Sequence, residues 1–290
     1  MTRTRLLGLM ILLSGRAAVA QEAQLCRIVE RAAPIPTEIH ETSGLAMGRL
    51  NPNAFWTHND GSATRMYAIA IDGRLLGSVE VRGIKPRDWE DLEAGACGTG
   101  SCLYAADTGD NFSRRRSIAI YEIPEPRLGA TREVAARAMP AEYPDGPRDA
   151  EALFRASNGD LYIVTKGREG PIRLYRYAAP YRYDEVVRLE AVREIAAQPR
   201  DQRDRVSAAT MTPDGRWTAI LTYRTLLFYR ADELLGGRAV TPLRFDLSPL
   251  GHKQMEAVVV GADGSVWVTT ESELQSNPSW SRLHCTLPRN

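Results

Sequence analysis

The chain has 290 residues, 43% of them hydrophobic and 25% charged, which is enough apolar content for a large core and excludes a disordered, collagen-like or disulfide-only protein. The formal charge is +1, and the first twenty residues carry three Arg and no acid, so the remainder holds 34 basic against 36 acidic groups. That balance gives no electrostatic footprint for nucleic acid or for an anionic membrane surface.

The chain opens with Thr2-Arg3-Thr4-Arg5, an apolar run from Leu6 to Leu13 too short to span a bilayer, and a small-x-small site at Ala18-Val19-Ala20. Residues 1–20 therefore read as a signal peptide and residues 21–290 as one domain located in the periplasm or secreted. No Cys follows the apolar run within the signal, so a lipid anchor is not expected, and no later segment is apolar enough to cross a membrane. Cysteines suit an oxidising compartment. Cys97 and Cys102 bracket a turn-forming Gly-Thr-Gly-Ser, while Cys26 and Cys285 sit near the two ends of the expected domain. Pairing 26 with 285 and 97 with 102 is expected. The long bridge would close a loop of about 260 residues, for which chain entropy allows roughly 4–5 kcal/mol. Zinc is disfavoured, because no second Cys pair or nearby His completes a tetrahedral set.

In chain order the strands repeat. Ser43 to Met47, Ala54 to Thr57 and Met66 to Ala70 form one unit, and Glu90 to Ala94, Leu103 to Ala106 and Ile118 to Tyr121 form a second. Three further units begin Glu151 to Gly159, Ser207 to Gly215 and Glu256 to Gly264, each a short apolar strand ending in an Asn-Gly or Asp-Gly hairpin turn. Their second strands are Leu161 to Thr165, Trp217 to Leu221 and Val266 to Thr270; their third strands are Ile172 to Tyr177, Leu226 to Tyr229 and Arg282 to Cys285. The unit starts lie 47, 61, 56 and 49 residues apart. This period predicts an all-β, five-bladed β-propeller, with a six-bladed ring as the alternative.

Fourth strands are expected at Leu75 to Val81, after Glu133, at Val187 to Ile195 and at Val240 to Leu247. The fifth blade lacks one after Cys285, and Leu25 to Val29 can supply it, so pairing of the two chain ends would close the ring. Asp232 to Leu235 is at most a single helical turn. Trp56, Trp89, Trp217 and Trp267 are expected to pack between blades.

In such a ring, innermost strands start, and second strands end, on one face. The residues placed there are acidic: Glu41, Asp88 to Asp91, Asp149 to Glu151 and Glu256 at the starts, with His58 to Asp60, Asp107 to Asn111, Lys166, Arg224 and Glu271 at the ends. Two carboxylates about 6 Å apart at an effective dielectric near 20 repel by roughly 3 kcal/mol, so three such pairs would approach the stability of a whole domain. A bound cation, proton uptake, or pairing with Lys166, Arg148, Arg205 and Arg224 must offset this. Oxygen ligands without clustered His or Cys favour a hard ion, and calcium tolerates irregular coordination best. The expected metal ligands are Glu41, Asp60, Glu90, Glu151 and Glu256, with Ca2+ as the ion. His58 beside Asn59-Asp60 is the expected general base, and Asp107 and Lys166 complete the expected catalytic set. Arg205, Arg224 and Glu271 are expected on the rim, where the cations could hold a phosphate or carboxylate ester or neutralise nearby acids.

The strings Glu41-Thr42-Ser43-Gly44-Leu45-Ala46, Trp89-Glu90-Asp91-Leu92, Ala105-Ala106-Asp107-Thr108-Gly109-Asp110-Asn111, Tyr143-Pro144-Asp145-Gly146 and Asp149-Ala150-Glu151-Ala152-Leu153 resemble those of exported bacterial propeller proteins. These are the phytase-like (esterase-like), SdiA-regulated and calcium-dependent lactonase-type propellers. The resemblance covers most of the expected domain and implies esterase or phosphatase action. The fourth unit departs from it, having only Arg205-Val206-Ser207 at its innermost start, which argues for an off-centre site. Two functions fit: a calcium-dependent hydrolase of esters, lactones or phosphoesters, or a non-catalytic propeller with structural calcium that binds a small-molecule ligand or an envelope protein. Gly-rich phosphate loops, Gly-x-Ser-x-Gly and His-Glu-x-x-His are absent from the sequence.

Overall fold

The computed structural model describes residues 25–237, 240–270 and 278–289. The expected signal peptide at residues 1–20 lies outside the described residues. The chain first lays down β1 (Cys26–Pro34) and then four strands of one sheet, β2 (Thr42–Met47), β3 (Ala54–Asn59), β4 (Arg65–Ala70) and β5 (Leu75–Arg82). The second sheet holds β6 (Trp89–Cys97), β7 (Gly100–Asp107) and β8 (Ile118–Pro124); the chain then makes β9 (Glu133–Ala135) and β10 (Arg137–Glu142). A third has β11 (Ala150–Arg155), β12 (Leu161–Thr165) and β13 (Ile172–Tyr177), followed by β14 (Val187–Arg188) and β15 (Glu190–Ala196). β16 (Val206–Met211), β17 (Trp217–Thr222), β18 (Thr225–Arg230) and β19 (Leu243–Asp246) form the fourth, with the short helix α1 (Ala231–Leu235) after β18. β20 (Met255–Val260), β21 (Ser265–Thr270) and β22 (Ser279–Cys285) complete the chain.

Each sheet is built on a four-stranded antiparallel arrangement, and five of them make a five-bladed β-propeller. The fifth blade runs β20-β21-β22-β1, so its outer strand is the chain's first, and Cys26 lies opposite Cys285 in the ladder. Both expected bridges are present, 26–285 with a Cα separation of 4.0 Å and 97–102 with 5.7 Å. Blades 1 and 2 each carry an additional outer strand that the sequence reading did not separate. On its way to β10 the chain adds β9 parallel to β5, and on its way to β15 it adds β14 parallel to β10. Two blades thereby grip the outer edge of the blade before them, and those edges are no longer free to pair elsewhere.

The core is divided among the blade interfaces. Five apolar clusters occur among the described residues, each drawn mainly from two adjacent blades. Trp56 and Trp89 are fully buried between blades 1 and 2, Trp217 packs between blades 4 and 5, and Trp267 meets Phe55 at 5.0 Å between blades 5 and 1. Burying a side chain of this kind contributes roughly 1.5–3 kcal/mol or more, so each interface is held mainly by apolar area. Hydroxyls tie neighbouring blades: Thr42 donates to the Thr270 carbonyl, Ser43 to that of Glu90 and Thr108 to that of Ala150.

One irregularity recurs in every blade. The ladder between innermost and second strands skips a residue, at Gly44, Glu90, Glu151, Ser207 and Glu256. These β-bulges re-aim the side chain at the start of each innermost strand. Blade 1 has glycine there for a steric reason: Gly44 has φ +69°, and a Cβ on it would fall 2.6 Å from the Leu92 nitrogen. The residue after the bulge is small in three blades, Ala152, Ala208 and Ala257, and Asp91 in blade 2. Asp91 is 1% exposed, and its Oδ2 accepts from the backbone N–H groups of Leu153 at 2.8 Å and Ala209 at 3.0 Å, joining blades 2, 3 and 4.

Candidate functional site

A cavity of about 650 Å³ opens where the innermost strands begin, and all five blades contribute to its wall. Three of the bulge positions, Glu90, Glu151 and Glu256, line it, and the remaining two are Gly44 and Ser207. The carboxylates are therefore concentrated in blades 2, 3 and 5. Glu41 and Asp60 also line the wall, so all five expected metal ligands reach one cavity, as do Lys166, Arg205 and Arg224. Glu271 lies outside the described residues.

Two expected catalytic residues are elsewhere, and this corrects the sequence reading. The residue paired across from each pre-bulge position is His58, Asp107, Thr165, Thr222 and Thr270 in the five blades. All five are buried, and none lines the cavity. His58 is 0% exposed, its ring meets the Trp89 ring edge-on at 4.8 Å, and Nδ1 lies 3.0 Å from the Asn59 carbonyl. Burial lowers its pKa to about 4, with backbone contacts to Asn59 and Asp91 opposing the shift, so it stays neutral and has no reach to a ligand. Asp107 is a brace. It accepts from the backbone N–H groups of Arg87 and Asp88 at 3.2 and 3.0 Å, from the Tyr121 hydroxyl at 3.0 Å, and pairs with Arg115 at 2.9 Å. Because side chains alternate along a strand, the next residue does face the cavity in two blades among the described residues, giving Lys166 and Tyr223. Tyr223 escaped the sequence reading, although the alternation that places Lys166 places it too.

Among the described residues, Asp60, Asp88 and Glu90 come together, each offering a carboxylate oxygen within 4.8 Å of the others. Asp88 was read only as part of an acidic stretch and not as a ligand. Gly109 makes room for this trio: a Cβ there would fall 2.0 Å from Glu90 Oε1 and 2.5 Å from Asp88 Oδ2. Burial raises the Asp88 carboxyl to about 6, aided by the charges of Asp60, Asp149 and Asp107 and opposed by Arg115. Asp60 is raised by burial and by Glu41, against the Gly61 N–H. Glu90, 6% exposed, is held well above the ordinary carboxylate range by burial and by Glu151, Asp60 and Asp88. A proton or a cation is thus drawn to the trio.

Glu151 is treated differently. Its Oε1 accepts from Lys166 Nζ at 2.5 Å, with 6% and 8% of the two side chains exposed. Burial raises the Glu151 carboxyl against the pull of Lys166; on Lys166 burial lowers the pKa, but the Glu151 charge and hydrogen bond together with the Tyr223 and Asp149 charges outweigh it and the net shift is upward. The lysine is committed to this pair and is not a free nucleophile. Arg224 is likewise engaged, two-pronged, with Asp204 at 2.8 Å, and Arg168 with Asp149 at 3.2 Å.

Fold and site together define a five-bladed β-propeller whose channel mouth carries an acidic pocket edged with cations. No family model matches the chain, and no curated protein does. Among solved structures it is similar to the PQQ-bound aldose sugar dehydrogenase of Streptomyces coelicolor, at 11% identity over 90% of this chain and 98% of that one, with TM-score 0.49. It is also similar to regucalcin, a calcium-binding protein of Agrobacterium tumefaciens, at 12% identity over 90% and 96%, with TM-score 0.44. A third is virginiamycin B lyase of Staphylococcus aureus, at 9% identity over 90% and 100%, with TM-score 0.47.

Proposed function

We propose that the chain is an exported, calcium-binding β-propeller that hydrolyses ester, lactone or phosphoester bonds at the mouth of its channel, its single domain running over residues 21–290. The observation that carries this reading is the trio Asp60, Asp88 and Glu90, drawn within 4.8 Å of one another, with a glycine, Gly109, where a Cβ would collide with two of them, Glu90 and Asp88. An all-carboxylate donor set suits a hard cation, and Glu41 supplies a further oxygen at the same wall. Two disulfides support an oxidising compartment.

When bound, the cation would polarise the carbonyl or phosphoryl oxygen of the substrate. The chain's own groups do the rest. Lys166 fixes the Glu151 carboxylate at the cavity wall, and a cavity carboxylate, Glu151 or Glu256, takes the proton of the attacking water as its oxygen adds to the polarised centre and returns it to the leaving oxygen as the ester bond breaks. Purified protein assayed against lactones, aryl esters and phosphomonoesters, with and without chelator, tests this. Turnover that chelation abolishes is the expected result; calcium binding without turnover would replace the hydrolase by the second reading, a ligand-binding propeller with a structural ion. That second reading has its own support, because His58 is sealed from the cavity and Lys166 is bound to Glu151.

A further inference from the structure

The bulges give each blade a common reference point, and the residue two places before the bulge is Thr42, Asp88, Asp149, Arg205 and Gln254 in the five blades. Blades 2 and 3 set Asp above Glu. Blade 4 inverts the charge, with Arg205 above Ser207. Among the described residues nothing cancels that charge. Asp201 is taken by Arg203, and Asp204 by Arg224 from the turn after β17, so both acids that neighbour Arg205 along the chain are already paired with other arginines. Arg205 is half-buried, lines the cavity, and has no ion pair or side-chain hydrogen bond among the described residues. Below it, the Ser207 hydroxyl is buried at 2% exposure and has no hydrogen-bond partner among the described residues.

From this inversion we infer that the blade-4 wall is an oxyanion subsite, in which Arg205 receives a carboxylate or phosphate group of the ligand that is not the reacting one. The inference rests on the cavity being the ligand site and narrows the substrate class: of the bonds considered above, it selects esters that carry a separate negative charge and disfavours neutral lactones. A guanidinium fork matches both planar carboxylate and phosphate, and a charge-assisted pair of this kind is strong where water is partly excluded. On the other side of the same cavity the acidic trio would repel that group, so the two walls together set the direction in which the ligand lies.

Phenylphosphonate and glutarate, titrated calorimetrically into the full chain, test the subsite with a readout that needs no turnover. Titrations run both in chelator and in calcium. Wild-type protein should bind at least one probe, and which one it prefers tells phosphate from carboxylate as the source. Arg205→Gln should weaken that probe about tenfold or more, whereas Arg203→Gln, whose guanidinium is held by Asp201, should leave it within about twofold. Should Arg205→Gln fail to fold, Arg205→Lys keeps the charge without the fork and should still lose several-fold. Equal affinity across the variants, or no binding of either probe to wild type, would overturn the subsite. Arg205-dependent binding without any calcium-dependent turnover would leave the subsite standing and remove the hydrolase.

Discussion

Replacing Lys166 by Met strands the Glu151 carboxyl, 4% exposed, beside Glu90, which is 6% exposed. Breaking a buried ion pair commonly costs about 3–5 kcal/mol because the remaining charge has no compensation. Here the stranded group can take a proton, since burial already raises it and Lys166 alone opposes the rise most strongly. Without the lysine the folded-state pKa climbs further above the unfolded value, so the folded chain binds more protons than the unfolded one over a wider range. Stability then falls as pH rises through that range. In chelator, Lys166→Met should lose about 1 kcal/mol at pH 5 and about 3–4 kcal/mol at pH 8, the latter lowering Tm by about 6–12 °C for a domain of this size. Urea denaturation at the two pH values reads the difference. Adding Glu151→Gln should recover most of the loss at pH 8, because the pair is then absent from both sides. An equal loss at both pH values, or a double variant weaker than the single one, would refute the argument.

Other perturbations separate further parts of the structure. Burial raises the Glu93 carboxyl to about 7 from 4.5, against bonds from the Ala94 N–H and the Thr210 hydroxyl, so its contribution to stability is present below the unfolded value and is lost as pH rises toward 7 and beyond. Glu93→Gln should accordingly flatten the stability profile by about 3 kcal/mol at pH 8, and parallel profiles for the two proteins would contradict this. Gly109→Ala should lower calcium affinity by about tenfold or more in a direct titration, because its methyl group occupies the space of two carboxylates; unchanged affinity would place the ion elsewhere. Changing Cys26 and Cys285 to Ser should cost about 4–5 kcal/mol, against about 2 kcal/mol for Cys97 and Cys102, because the loops closed differ from 259 to 5 residues in separation. Equal losses in denaturation would show that loop closure is not the source.

Much of the ring could be read directly from the chain because its signals are local. Alternating apolar strands and the turns at Asn158, Asp214 and Asp263 mark three blades, and cysteines at both ends mark the seam. The site was less legible because one inserted residue changes which side a strand's residues face. Without the bulge, Ser43 aligns with Glu90; with it, the counterpart is Gly44. The same offset hid the burial of His58 and Asp107 in positions where three other blades have Thr. Asp88 and Gly109 were both within strings already singled out, but their meeting is a contact between blade 2's entering loop and the loop after β7, which no spacing encodes. The added strands β9 and β14 are three and two residues long, too short for periodicity to register.

The bond between Cys26 and Cys285 has a consequence for how the molecule comes apart. Every residue between them belongs to a covalent circle, so a single proteolytic nick in any loop opens the circle without releasing a fragment. The cut protein would remain one particle of unchanged mass until a reductant is added, and only a second cut, or loss of that one sulfur–sulfur link, would let a blade leave.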